Sequence, residues 1–224
     1  MIEYSEKERR MVLKLVYYGP ALSGKTTNLL QLHERLTREG RGELMVLDTT
    51  GDRTIYFDLL PFFMTAPSGL KIKVKAYTVP GQVCHDATRK AVLQRADGVA
   101  FIADSNPGET ESNFASFDNL ERNLAQVGLD IDTLPLVIQF NKRDLPDSLP
   151  EEEIRSVWGP TGIPVLMASA IRGAGVTETF AALVGLVYDR VDARFDLARG
   201  HGLSRADFVA KLSTVQDDDG EDLR

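Results

Sequence analysis

The sequence predicts an α/β fold with a mainly parallel central sheet flanked by helices. Short apolar stretches recur along the chain, and helical patterns separate most of them, which is the alternation typical of βαβ units. The first long apolar stretch, residues 11–18, ends directly at a glycine-containing loop that leads into a helical pattern. Ligands of such sheets bind outside the carboxyl ends of the strands, so this loop marks the expected site.

The composition indicates one globular domain with an appendage. The chain has 224 residues, of which 43% are hydrophobic, and its formal net charge is -7. That charge argues against nucleic-acid binding through the whole surface, although it does not exclude a local basic patch.

The chain has no apolar run near the roughly 18 residues of a membrane span, and its single cysteine, Cys84, excludes an internal disulfide. We therefore expect a cytoplasmic protein without direct membrane insertion.

Six apolar stretches are predicted to form strands: residues 11–18, 44–47, 72–79, 99–103, 136–140 and 165–167. The third is unusual because Lys71, Lys73 and Lys75 alternate with apolar residues, as in a strand with one polar face. These lysines can meet an acidic partner, but a solvated face near a sheet edge is the preferred interpretation.

Residues 19–26 read G-P-A-L-S-G-K-T, a complete G-x-x-x-x-G-K-[ST] phosphate-binding loop. In such a loop, backbone N–H groups and the positive end of the next helix surround a phosphate. Lys25 is expected to reach the β- and γ-phosphates, and the Thr26 hydroxyl is expected to bind Mg²⁺. The residues predicted to hold the phosphates are Gly19, Ala21, Leu22, Ser23, Gly24, Lys25, Thr26 and Thr27.

Two further segments are suited to contact the γ-phosphate of a nucleotide. Residues 48–60 are rich in turn formers and predict a loop, and Arg53 and Thr54 lie in it. Residues 78–82 read T-V-P-G-Q directly after a predicted strand. There the Gly81 N–H can donate to a γ-phosphate, and Gln82 can orient an attacking water.

The sequence N-K-R-D at residues 141–144 predicts guanine recognition. The Asp144 carboxylate can accept hydrogen bonds from the N1–H and 2-amino groups of guanine. Adenine has an acceptor at the first position and no amine at the second, so it would leave the carboxylate unpaired. Asn141 is expected to tie neighbouring loops to the base or to each other, and the stem of Lys142 can cover the purine face. After the last predicted strand, Ser169 and Ala170 can present backbone N–H groups to the guanine O6.

In this order, the motifs resemble those of the small Ras-like GTPases, which are P-loop NTPases. V-Y-Y-G-P at 16–20, D-R-T at 52–54, F-D-L-L-P at 57–61, A-T-R-K at 87–90 and N-K-R-D-L-P at 141–146 narrow the resemblance. They are similar to the bacterial MglA family of polarity and gliding-motility GTPases. The resemblance spans about residues 8–192 and implies a Ras-like domain that binds GTP and GDP with Mg²⁺.

The resemblance also assigns roles to residues. Arg53 matches the intrinsic arginine finger of the family, and Gln82 matches the glutamine that aligns water, so both are expected to be catalytic. Thr54 matches the switch threonine, which gives Thr26 and Thr54 as the expected metal ligands. The alternative to a hydrolysing switch is a GTP-held scaffold or binding module with negligible turnover. A P-loop kinase or ATPase is disfavoured by N-K-R-D.

Partners are likewise implied by the resemblance. The family works with MglB, a homodimeric roadblock-domain protein that stimulates GTP hydrolysis or exchange, and with downstream polarity or motility effectors. The chain itself is expected to be monomeric and to be recruited to a cell pole by such partners.

Two positions depart from the wider Ras pattern. Thr78 stands where most relatives have an aspartate, so we expect the usual carboxylate near Mg²⁺ to be missing and metal retention to be weaker. Ile171 replaces the usual lysine after Ser169 and Ala170, which removes one stacking contact on the base. Guanine selectivity is expected to survive through Asp144.

The GTPase domain is predicted to span residues 1–195, followed by a C-terminal extension over residues 196–224. The spacing of Leu203, Ser204 and Phe208 predicts a short helix over about residues 204–213. The acidic run D-D-D-G-E-D after it predicts a disordered tail. Whether the helix docks a partner or packs on its own domain stays open at this level.

Overall fold

A computed structural model of the chain describes residues 2–37, 40–48, 56–80 and 86–215. Its centre is an eight-stranded sheet whose main path runs β3-β4-β5-β2-β6-β7-β8, with β1 paired to β2. The strands are β1 (Glu3–Ser5), β2 (Arg10–Tyr18), β3 (Met45–Asp48), β4 (Tyr56–Thr65), β5 (Lys71–Thr78), β6 (Gly98–Asp104), β7 (Leu136–Asn141) and β8 (Val165–Met167). The α-helices are α1 (Lys25–Arg35), α2 (Asp86–Leu93), α3 (Thr110–Gln126), α4 (Glu151–Trp158), α5 (Val176–Phe195), α6 (Leu197–His201) and α7 (Arg205–Ser213).

The predicted α/β fold with a mainly parallel sheet is confirmed. Strand β2 pairs in parallel with β5 and β6, and β6, β7 and β8 continue the parallel order. Strand β4 is antiparallel to both of its neighbours, β3 and β5. Because β2, β6 and β7 are parallel and central, their carboxyl ends meet at one edge of the sheet, where the predicted binding motifs follow them.

Strand β4 was missed by the sequence analysis. The loop predicted over residues 48–60 is wrong for its second half, since the strand begins at Tyr56. The stretch contains Asp58 and Pro61, and both residue types are depleted in strands. Proline is tolerated here because β3 pairs only as far as Leu59, which leaves Pro61 on an open edge. There its carbonyl accepts a hydrogen bond from Gly42 N at 2.8 Å, and no ladder bond is lost.

The two faces of the sheet bury separate parts of the core. One face packs against α1, α5 and α7 and includes Leu13, Phe62 and Phe180. The other packs under α2, α3 and α4 and includes Phe101, Phe140 and Trp158. Helices therefore cover both sides of the parallel strands, which explains why β6 and β7 are buried along their whole length.

Helix α7 packs on its own domain, which answers the question that the sequence left open. Leu203, Phe208 and Leu212 are at most 2% exposed and belong to the same core as α1 and α5. The Ser204 side chain caps the helix by accepting a hydrogen bond from Asp207 N at 3.1 Å. Tyr188 of α5 donates its hydroxyl to the Leu203 carbonyl at 2.6 Å and places its ring 5.4 Å from that of Phe208.

Within the described ranges, no helix is both long enough and apolar enough to cross a membrane.

Replacing Phe208 with alanine is expected to lower the free energy of unfolding by about 3–5 kcal/mol, because a fully buried ring leaves a cavity in the shared core. Phe114→Ala is the matched control, since that ring is 43% exposed and is expected to cost less than half as much. Urea unfolding of both variants at equal GDP concentration measures the difference. Equal losses would show that α7 adds little to the core.

Candidate functional site

The phosphate loop joins β2 to α1 in the conformation that its sequence predicts. Gly24 occupies the position before α1 with a φ of 96°, and α1 begins at Lys25. Leu22 also has a positive φ of 60°, although it is not glycine, and its side chain is 88% exposed. Such strained backbone is found where a loop is shaped for a ligand.

Lys25 is folded inward over this loop. Its ammonium group donates hydrogen bonds to the carbonyls of Gly19 and Pro20 at 3.1 and 2.5 Å. Burial lowers the pKa of Lys25 to about 7, and the nearby Arg89 acts in the same direction, whereas Asp58 opposes it. A buried ammonium of this kind gains most from an anionic neighbour, because a phosphate would stabilise the charged form.

Asn141 connects the phosphate loop to the loop that follows β8. Its side-chain amide donates to the Ser23 carbonyl at 2.8 Å, and its Oδ1 accepts from Ala170 N at 2.8 Å. Asn141 is the last residue of β7 and is 2% exposed, so both bonds are shielded from water. Three segments that are distant in sequence are therefore held together by one side chain.

Asp144 lies beside this junction with its carboxylate held in place. Its Oδ1 accepts a hydrogen bond from the Ser169 hydroxyl at 2.5 Å. This bond, more than the nearby charges of Arg172 and Lys142, holds the pKa of Asp144 below its usual range. The group is thus ionised at neutral pH and can accept two hydrogen bonds. Lys142 instead pairs with Asp104, with its Nζ 2.5 Å from Oδ2.

Two backbone amides that were expected to face a base oxygen have partners within the protein. The sequence analysis gave the N–H groups of Ser169 and Ala170 to a base oxygen. The Ala170 N–H donates to Asn141, and the Ser169 N–H donates to the Ala174 carbonyl at 2.9 Å. Both donors thus bond to the protein's own loops, and their use by a base oxygen stays a prediction. The Ser169 hydroxyl donates to the Asp144 carboxylate.

The chain is similar in sequence to a known protein over most of its length. The chain is 45% identical over 186 residues to the Mutual gliding-motility protein MglA of Myxococcus xanthus (strain DK1622). The match covers 83% of this chain and 94% of that protein. The chain belongs to the MglA family of Ras-like small GTPases. No protein-family model matches the chain.

Asp58 is a residue of the site that the sequence analysis missed. Its Oδ2 accepts hydrogen bonds from the Thr26 hydroxyl at 2.6 Å and from the Thr78 hydroxyl at 2.9 Å. The Asp58 backbone N–H also donates to the Thr78 Oγ1 at 2.9 Å. A carboxylate therefore lies beside the expected metal ligand Thr26, although position 78 lacks one. It comes from the neighbouring strand, β4.

The sequence did contain a weak signal for Asp58. It is a single acidic residue in the otherwise apolar run Y-F-D-L-L, and it is 7% exposed. Buried carboxylates need hydrogen-bond donors, so such a residue indicates either a site or a structural network. The missing step was the cross-strand register, which places residue 58 next to Thr78.

Arg89 anchors α2 beside the site. It is 1% exposed, and its Nε donates to the Pro80 carbonyl at 2.9 Å. Its Nη1 donates to Asn119 Oδ1 at 2.7 Å, and its guanidinium lies 5.3 Å from the centre of the Tyr18 ring. These contacts attach the residue just before Gly81 to both β2 and α3. Arg89 was recognised in sequence only as part of the A-T-R-K motif.

Four predicted site residues lie outside the described part of the chain: Arg53, Thr54, Gly81 and Gln82. The described strands nevertheless lead to them, since β4 follows residues 49–55 and β5 precedes residues 81–85. Between the two strand ends and the phosphate loop is a cleft of about 340 Å³. Its lining includes Gly24, Lys25, Thr26, Thr27, Asp58 and Thr78.

Gly24→Ala is expected to weaken GDP binding at least tenfold, because a Cβ at this position would lie 2.2 Å from Asn141 Nδ2. The displaced Asn141 would lose its bond to the phosphate loop. Gly128→Ala is the matched control, since Gly128 also has a positive φ, of 76°, but no atom lies within 4 Å of its added Cβ. It is expected to lose about 1 kcal/mol of stability and to keep GDP affinity.

Titration with a fluorescent GDP analogue, together with thermal unfolding, separates the two effects. If both alanine variants lose the same affinity, the loss comes from backbone strain and not from Asn141.

Proposed function

We propose that this protein is a GTP-binding molecular switch that hydrolyses GTP to GDP and phosphate. The observation that carries the proposal is the double hydrogen bond of Asn141, which joins the phosphate loop to the segment that holds Asp144. A nucleotide that contacts both segments must present its phosphates and its base at a fixed separation. The geometry therefore supports recognition of a whole nucleotide, and the family supports GTP.

The base is selected by Asp144. Its ionised carboxylate matches the two adjacent donors of guanine, and adenine would leave it desolvated and unpaired. The Ser169 hydroxyl occupies one side of Oδ1 and orients the carboxylate. The chain's own hydrogen bonds thus set the direction of the group before a nucleotide binds, which lowers the cost of binding.

Hydrolysis is assigned to Arg53 and Gln82 on the sequence and the family resemblance. Gln82 would orient the water that attacks the γ-phosphorus, and Arg53 would stabilise the charge that develops on the phosphate oxygens. The bond between the γ-phosphorus and the β-γ bridging oxygen breaks, and GDP leaves with that oxygen. Strands β4 and β5 support the assignment because they lead to the segments that contain these residues.

The residue types at Thr26 and at the sequence-assigned Thr54 suit a magnesium ion. Each would contribute a hydroxyl oxygen, which is the kind of hard ligand that Mg²⁺ prefers. When bound, the ion would neutralise charge on the β- and γ-phosphate oxygens. Asp58 accepts a hydrogen bond from the Thr26 hydroxyl, which would leave the lone pairs of the hydroxyl oxygen free for the metal. We assign to Asp58 the positioning role that an aspartate at position 78 has in most relatives.

The cellular role is proposed from the relative. The similar protein of Myxococcus xanthus is named for gliding motility, and a switch in cell polarity or motility is the corresponding role for this chain. An MglB-like roadblock-domain homodimer is proposed as its GTPase regulator. Downstream effectors would then bind according to whether the monomeric switch holds GTP or GDP.

The proposed activity is tested by single-turnover conversion of preloaded GTP with Mg²⁺ and excess ATP present. Arg53→Ala is expected to slow conversion by about 10³-fold or more, because an arginine finger contributes on that order. Gln82→Leu is expected to slow it comparably. Both variants are expected to retain GDP affinity within a fewfold, since neither residue belongs to the phosphate loop.

Arg122→Ala serves as the control for arginine removal, because Arg122 is exposed on α3. A rate in Arg53→Ala equal to that of the control would remove Arg53 from the mechanism. Stable GTP binding with no conversion, even with a roadblock-domain regulator present, would leave a binding module in place of a hydrolase.

The role of Asp58 is tested by the Mg²⁺ dependence of GDP release. In Asp58→Asn, the Mg²⁺ concentration that half-maximally slows release is expected to rise about 10–100-fold, which is the usual effect of losing a residue that orients a metal ligand. The release rate in EDTA is expected to change little. Asp97→Asn is the control, because Asp97 is also buried but accepts its bond from Lys14 N, away from the phosphate loop.

An unchanged Mg²⁺ dependence in Asp58→Asn would refute the positioning role. A shift to lower Mg²⁺ concentration would show that the carboxylate competes with the metal for Thr26.

A further inference from the structure

One area of the sheet is basic although the whole chain is acidic. Arg10, Lys14, Lys71, Lys73 and Lys75 lie on the same face of β2 and β5, and we call these five residues the basic face. Lys71 pairs with Arg10 and Lys75 pairs with Lys14 in the parallel register, so their side chains project to the same side. The formal net charge of the chain is -7, which makes this concentration of cations a local feature.

The lysines of β5 are not explained by protection of a sheet edge. Strand β5 is internal, with β4 on one side and β2 on the other. Its lysines pair with the part of β4 that β3 no longer covers, so they lie on a partly solvated face one strand from the sheet edge, as the sequence predicted. Charged residues that blunt an edge have no purpose on an internal strand. Helices α2, α3 and α4 cover the same side of the sheet over β6 and β7, whereas Lys73 and Lys75 remain partly exposed and Lys71 is exposed.

The three lysines of β5 also lack acidic partners. Across the described ranges, no ion pair involves Lys71, Lys73 or Lys75, whereas Arg10 pairs with Glu3 at 3.3 Å. Lys14 donates to the Gln94 carbonyl at 3.0 Å. Burial lowers the pKa of Lys14, and the like charge of Lys75 lowers it further, whereas the opposite charge of Asp97 raises it. The cations therefore repel each other, and an external negative charge would relieve that repulsion.

Aromatic rings are interleaved with the cations. Phe63 of β4 is 44% exposed, and the Lys73 ammonium lies 5.0 Å from its ring centre. Tyr77 lies under the Lys14 ammonium at 5.1 Å. Aromatic residues are enriched at the centres of protein interfaces, and polar and charged residues lie at their rims, so Phe63 would be the apolar centre and the lysines the rim of such a contact. Neighbouring strands are about 4.8 Å apart, and alternate residues of one strand are about 6.6 Å apart. The basic face is therefore about as wide as one α-helix.

We propose that the basic face is a docking site for an acidic protein segment that carries at least one apolar side chain. The acidic groups would pair with the three lysines of β5, and the apolar group would pack on Phe63. A nucleic acid or an anionic membrane is disfavoured, because the strongly negative remainder of the molecule would repel an extended anionic surface. This assignment does not depend on GTP hydrolysis, so it is tested with GDP-bound protein.

The probe is a fluorescein-labelled 16-residue peptide of Glu and Asp with Leu or Phe at every fourth position, measured by fluorescence anisotropy. We expect it to bind the full chain, and Lys73→Glu with Lys75→Glu to weaken binding at least tenfold. The matched control is Arg122→Glu with Arg199→Glu, which changes the net charge equally on α3 and α6 and is expected to stay within twofold. Phe63→Ser is expected to weaken binding as well.

Retained GDP and unchanged melting temperature establish that each variant is folded. Absence of peptide binding by the full chain, or equal loss in both double variants, would overturn the proposal. So would tighter binding of duplex DNA or of phosphatidylserine vesicles that is lost in the Lys73 and Lys75 variant. If the peptide binds only after residues 216–224 are removed, the occupant is the chain's own acidic run and not a separate partner.

Discussion

The hydrogen bonds of Asn141 are the constraint on which the candidate site depends. Phosphates and a purine can be recognised together only if the loops that contact them keep a fixed separation. One buried amide bonds to the phosphate loop through Ser23 and to the loop after β8 through Ala170. Both bonds are shielded from water. Breaking either one would leave a buried polar group without a partner, which is costly. Asn141 is the buried last residue of a central strand, so the strand's own pairing fixes its position.

The antiparallel hairpin of β4 and β5 is the second constraint. It carries the Asp58 carboxylate into hydrogen-bonding distance of Thr26 and Thr78, and its open end leads to both segments that the sequence assigns to the γ-phosphate. Arg89 holds the Pro80 carbonyl just beyond β5. The Asp58 carboxylate and Thr26, the proposed metal ligand, come from different elements, so their alignment depends on strand register and not on a local motif.

The C-terminal helices restrain the closed end of the same hairpin. His201 of α6 shares a hydrogen bond of 2.8 Å with Ser68 in the turn between β4 and β5. Lys211 of α7 donates to the Thr65 carbonyl at 3.4 Å, while Phe208 is buried in the core. The extension therefore contacts strands that lead to the site, although it lies far from the phosphate loop in sequence. Its burial makes it part of the packed domain.

The phosphate loop, the N-K-R-D motif and the parallel strands were recognisable in the sequence, because they depend on local backbone geometry and on periodic burial. G-P-A-L-S-G-K-T and N-K-R-D are each contained within a few residues, so no long-range contact was needed to find them. The hydrogen bonds of Asp58, the partners of the Ser169 and Ala170 amides and the internal position of β5 became visible only in the folded structure. Each of these depends on which strands become neighbours. Pairing between distant strands is set by packing of the whole core, so a local pattern such as alternating lysines cannot distinguish an edge strand from an internal one.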